Sequence, residues 1–166
     1  MILGVSTPTF TLLHVIISFV GIAAGFVALS ALIRGIWLGH WMALFLIATV
    51  ATSVTGFFFH STAIDPPHIV GVISLVVLAL AVVAIYAHRL AGYWRLIFIV
   101  TVVTAQYLNV FVAVVQAFQK IPFLNVLAPK GSEPPFVAAQ ALVLALFIAF
   151  GYLAAKGLRS ALASTV

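Results

Sequence analysis

The sequence predicts an all-α integral membrane bundle of five transmembrane helices, forming one domain over residues 1–166. Three observations predict it. Hydrophobic residues make up 66% of the chain and charged residues 5%, with a mean hydropathy of +1.36. Soluble domains carry about 25% charged residues, so a water-soluble fold of this composition has nothing to cover its surface with. The apolar residues fall into five runs, each about 20 residues long, the length a helix needs to cross a hydrocarbon core of about 30 Å. The runs are continuous, not alternating, and too long for barrel strands.

The first run, 11–33, follows MILGVSTPTF, which has neither a basic n-region nor a small-residue cleavage site. It reads as a retained helix, not a cleaved signal peptide. The second run, 41–59, opens on HW and ends on GFFFH. The third, 68–87, follows Asp65-Pro66-Pro67, a stiffened turn in which Asp65 can also serve as a helix cap. The fourth, 95–118, carries Gln106, Asn109, Gln116 and then Lys120. These steps place them near one helical face, where amides inside a bilayer either line a path or join helices. Joining is the plainer reading, with Gln140 or with Thr52, Ser53 and Thr55 as partners. Segment 119–134 is Pro-rich yet carries Phe123, Leu124, Val126 and Leu127, which suits a piece lying on the membrane surface. The fifth run is 135–155.

Lys and Arg set the expected orientation. Arg34, Arg89, Arg95, Lys156 and Arg159 fall on one side, and only Lys120 and Lys130, with Asp65 and Glu133, on the other. The bias puts the C-terminal end in the cytoplasm and the N-terminal end outside.

Histidines bracket the runs. His14 and Arg34, His40 and His60, and His68 and His88 are each 20 residues apart, about 30 Å along a helix. The polar groups therefore form two layers, one near each membrane surface. A weak repeat accompanies them. Residues 14–41 run from His through an apolar span to RGIWLGHW, and 68–94 run from His to RLAGYW. Two duplicated hairpins plus a fifth helix would explain this, although Tyr93 replaces the counterpart of His40.

Neutral imidazole suits haem iron and transition metals. Three constellations follow. His14 and His68 could hold b-type haem between facing helices, with Gly21, Ala23, Ala24, Gly25 and Gly71 leaving room. His40 and His88 could hold a second haem, its propionates paired with Arg89 and Arg95. His14, His60 and His68, with Asp65, could instead bind zinc or copper. The plainer reading of each is an interfacial histidine at a helix end.

Absences narrow the field. The chain has no Cys, so disulfides, thiolate metal sites and covalent c-type haem are excluded. No acidic residue lies in any run, which argues against a carboxylate-based proton carrier. No phosphate loop, nucleophile elbow or metalloprotease helix is present. The formal charge of +5 reflects scarce acids, not a nucleic-acid patch.

HRLAGYW at 88–94, YLNVFVAVVQAFQKIP at 107–122 and LAPKGSEPPFVAAQ at 127–140 resemble a group of small multi-helix bacterial inner-membrane proteins of unknown function. The layered histidines resemble, more loosely, the cytochrome b561 superfamily, whose bundles of four to six helices carry His pairs at both membrane sides. The histidines here depart from that pattern by sitting at helix ends. The resemblances imply a bacterial inner-membrane location and the chance of haem ligation, and carry no assigned activity.

The leading expectation is a haem- or metal-binding membrane protein that exchanges electrons with a quinone or a small redox partner. The alternative is a cofactor-free binding or assembly subunit for a lipid, a small apolar molecule or a larger complex. A transporter is a third reading, and a chain this short would need a homo-oligomer to form a pathway.

Overall fold

The computed structural model describes residues 1–2, 4–59 and 66–163, with backbone alone at 66–67 and 158–163. Among the described residues six helices follow one another: α1 (Thr7–Ile33), α2 (Gly39–Gly56), α3 (Pro66–Tyr86), α4 (Trp94–Lys120), the short α5 (Pro122–Leu127) and α6 (Pro134–Ala163). Five are long and apolar enough to cross a membrane. The fold is thus the expected all-α bundle, with helix ends shifted by a few residues from the hydropathy boundaries.

Helix α1 packs on α2, α2 on α3, α3 on α4, and α4 returns to α1. These four close an antiparallel ring. Helix α6 lies outside it, on the seam between α1 and α4, and α5 packs on the end of α4. Helix α4 touches α1, α3 and α6 and is buried along much of its length, from Phe98 to Gln106. The ring is filled by Leu32, Phe45, Leu78 and Phe98, all under 2% exposed.

Small residues let the ring close. On α1 the buried stripe Gly21, Ala24, Gly25, Ala28 and Leu32 repeats at helical spacing, and close backbone approach is what drives helix association where lipid and core are equally apolar. A Cβ at Gly25 would run into the Gln106 amide and the Phe45 ring. Gly157 does the same service for α6, since a Cβ there would strike the carbonyls of Leu32 and Ile33. That contact sets α6 parallel to α1 and antiparallel to α4.

The helix ends follow local chemistry. Ser6 caps α1 by accepting the Thr9 N–H at 3.3 Å, and Pro8 occupies the first turn. At the other end Gly35 takes φ +71°, so that its N–H reaches Leu32 O at 3.0 Å and the Ile36 N–H reaches Ala31 O at 2.8 Å. Helix α2 stops at Gly56, three residues short of the expected end. Phe57, Phe58 and Phe59 continue in tighter turns, each N–H bonding three residues back. The turn from α3 to α4 is different from the first, with Arg89 at φ +48° and Leu90 at φ +57°. The sequence repeat therefore does not extend to equal turns. Segment 119–134 holds α5, with Phe123 and Val126 exposed, and a loop in which the Glu133 carboxylate accepts the Lys130 and Ser132 N–H groups at 3.0 Å.

Candidate functional site

Antiparallel packing brings the start of α1, the end of α2 and the start of α3 to one end of the bundle. His14 and His68 both lie there. His14 is two turns into α1 and half-buried. Its Nδ1 is 2.8 Å from Thr55 Oγ1 on α2, and its ring meets the Phe59 ring edge-on at 5.2 Å. Thr55 has one hydroxyl proton, and the carbonyls of Ala51 and Thr52 accept it at 2.7 and 3.1 Å. With that proton on a carbonyl of its own helix, Thr55 Oγ1 accepts from His14 and the neutral ring carries its proton on Nδ1. The lone pair of Nε2 is left for a ligand.

His68 is the third residue of α3 and stands beside Phe57, ring centroids 5.6 Å apart. Its Nδ1 is buried and has no hydrogen-bond partner. Phe59 thus pads His14 and Phe57 pads His68, with Phe10 edge-on to Phe58 and Phe59. His60 and Asp65 lie outside the described residues. Among the described residues no group of three or more His, Asp or Glu side chains converges.

The room expected for a porphyrin is taken. The space at Gly25 is filled by Gln106 and Phe45, and that at Gly21 by Ala48 and Thr49. Ala24 is buried in the core, and Ala23 is exposed on the outer face. At Gly71 the Phe57 ring stands 3.1 Å from where a Cβ would be. A macrocycle seated between α1 and α3 does not fit this packing. An ion at the bundle end makes no such demand.

His40 and His88 occupy the opposite end, and both are exposed. His88 stacks flat on Trp94, centroids 3.7 Å apart and planes 4° apart. Trp37, from the first turn, packs on Phe98 of α4. No contact joins His40 to His88. The stack accounts for His88 as a surface residue that closes the α3–α4 turn.

The polar residues of α4 divide. Gln106 is 1% exposed and donates from Nε2 to Ile22 O on α1 at 2.8 Å. Asn109 Nδ2 donates to Thr49 Oγ1 on α2 at 3.0 Å. Gln140 Nε2 donates to Phe111 O at 3.2 Å, joining α6 to α4. Ser53 and Ser74 join α2 to α3 at 3.1 Å. These are interhelical links, as the plainer reading held, although the partners differ from those expected. Gln116 and Lys120 are exposed and leave the stripe. Sequence reasoning passed over Thr49 and Ser74. The Gly21–Gly25 pair was the available signal that α1 approaches its neighbours closely enough for such links.

No family model, curated protein or solved structure matches the chain.

Proposed function

We propose that the chain is a membrane protein that binds a transition-metal ion through histidines at the Thr7 end of its bundle, and that this ion serves electron exchange. The observation that carries the reading is the His14–Thr55 pair, which orients one imidazole and leaves its Nε2 lone pair for a metal. Hydrogen bonding of the second ring nitrogen is how proteins fix metal-ligating histidines. His68, at the same end with its Nδ1 unpartnered, is the second ligand. His60 and Asp65, close to His68 in sequence, complete the donor set.

Two imidazoles with a further nitrogen or oxygen suit copper or zinc. Of these, copper supplies a one-electron couple, and a quinone or small redox partner would be its counterpart. The packing favours an ion over haem b at His14 and His68. A second haem at His40 and His88 has less support still, since one ring is stacked on Trp94. By the Lys and Arg bias the Thr7 end faces outward from a bacterial inner membrane, where an ion can arrive from outside.

The test is metal analysis and an optical spectrum, oxidised and reduced, on detergent-purified protein. Stoichiometric copper, lost in His14→Ala and His68→Ala, is the expected result; stoichiometric zinc would keep the metal site and remove the electron-exchange role. A Soret band would restore the haem reading. A colourless, metal-free protein, prepared with both metals and haem supplied, would end the cofactor reading. It would promote the second one, a cofactor-free binding or assembly subunit, which is favoured by the amide links and by the small share of α6 that the bundle buries.

A further inference from the structure

A groove of 330 Å³ runs along the outer wall of the bundle between α4 and α6. Leu96, Val103 and Tyr107 form one side and Phe147, Gly151 and Tyr152 the other. Gly151 hollows it, because a Cβ there would come within 3.5 Å of Val103 and a larger side chain would fill the channel. The inner end is closed. Tyr107 and Phe147 meet edge-on at 5.9 Å, and beyond them Gln140 bridges to Phe111 O.

Two features bear on what this groove is shaped to hold. The first is its length. From Leu96 to Tyr107 α4 rises about 17 Å, at about 1.5 Å per residue, roughly half of a hydrocarbon core of about 30 Å. The groove therefore starts at one surface and stops near the midplane, the depth of one leaflet. The second is charge. Arg95 precedes Ile99 of the groove wall by four residues, and Lys156 follows Tyr152 by four. Both cations thus continue the lining stripes at the open end, because α4 and α6 are antiparallel. Arg34 and Arg89 stand at the same end of the bundle. Tyr152 and Tyr93 are exposed there, at the level where aromatic side chains meet headgroups.

We infer that this groove is a binding site for one anionic phospholipid, with an acyl chain along α4 and α6 and its phosphate held between Arg95 and Lys156. The site is separate from the histidine end and lies at the opposite surface. Its selectivity comes from the cations and its depth from Gly151. Each basic residue at a membrane surface adds to the attraction for an anionic headgroup. Removing both should lower the affinity by roughly tenfold or more.

The experiment uses the full chain in mild detergent, titrated with phosphatidylglycerol or with phosphatidylcholine of the same acyl chains, and read by native mass spectrometry. One phosphatidylglycerol should bind tightly and phosphatidylcholine at least tenfold more weakly. Arg95→Gln with Lys156→Gln should erase the difference between the two lipids. Gly151→Leu should weaken both. The paired Gln variants leave the groove lining itself intact, so they decide the matter even if Gly151→Leu does not fold. Equal binding of the two lipids by the unaltered chain would overturn the proposal, as would an unchanged preference in the paired variant. So would a chain that dimerises and loses the dimer in Gly151→Leu, since the groove would then be an interface between copies.

Discussion

Thr55 does at the scale of one hydroxyl what the proposed metal site requires. With its proton on the carbonyls of its own helix, it accepts the His14 Nδ1–H across the α1–α2 interface. Thr55→Val keeps the shape and removes the acceptor. The ring then loses its fixed tautomer and orientation. Metal affinity should fall about 10- to 100-fold, the usual effect of losing the group behind a metal-binding histidine. Metal titration should show this while helical content stays unchanged, and an unaltered affinity would remove Thr55 from the site. Gly25 carries a different kind of constraint. The added methyl of Gly25→Ala has to displace the Gln106 amide and the Phe45 ring. Overpacking of this kind costs about 1–3 kcal/mol. Asn109→Leu, which forfeits one hydrogen bond to Thr49, should cost about 0.6 kcal/mol, the mean for side-chain hydrogen bonds within membranes. Unfolding in mixed micelles should therefore rank Gly25→Ala as the more damaging change, and the reverse order would mean that the polar link outweighs the close approach.

At the scale of the element, the two turns at the cationic end show how a similar motif is solved twice. After α1, Gly35 supplies the left-handed residue at no steric cost. After α3, Arg89 and Leu90 both take that conformation, at about 1–2 kcal/mol per residue. Leu90 is compensated because it packs against the core, whereas Arg89 is exposed. Arg89→Gly should therefore raise the thermal midpoint slightly or leave it unchanged. Leu90→Gly should lower it, since the relief of strain is smaller than the lost packing. Destabilisation by both would mean that the Arg89 side chain has a role the turn geometry does not reveal. The helices themselves were legible as apolar runs of bilayer length. Their ends were not, because GFFFH is as apolar as the helix it follows, and only the tight turns at Phe57 to Phe59 stop α2. The inward faces were also hidden, since helices apolar all round carry no moment that separates lipid from core. Gln106 and Asn109 were readable because a buried amide has few places to go. Gln116 misled because it falls on the exposed side of α4 while Val115 and Ala117 beside it are half-buried and Phe118 is buried, so spacing alone did not decide its environment. The histidine layers were legible as positions, but nothing in the spacing showed that Thr55 would meet His14 or that side chains would fill the space at Gly21 and Gly25.

The whole molecule is a closed ring with one helix added, and its charges are sorted by end. Because α1 and α4 touch, the ring closes without α6, and α6 packs along their seam, with Gly157 against α1 and Gln140 bonded to α4. The sorting is what orients the assembly. Arg34, Arg89, Arg95, Lys156 and Arg159 belong to the end where α1 and α3 finish, against Lys120 and Lys130 at the other. Basic residues close to span ends stay on the cytoplasmic side, so the proposed orientation places the 34–39 and 87–93 turns in the cytoplasm. The 128–133 loop and the His14 end then face outward. Alkaline phosphatase, which is active only outside the inner membrane, should be active when inserted in the 128–133 loop and inactive in the 87–93 turn. The opposite pattern would invert the bundle and send the metal site to the cytoplasm. Phosphate-binding cations would then stand in the outer leaflet. Since the histidine end and the cationic groove mouth lie at opposite ends of one bundle, a single topology measurement fixes the compartment of both.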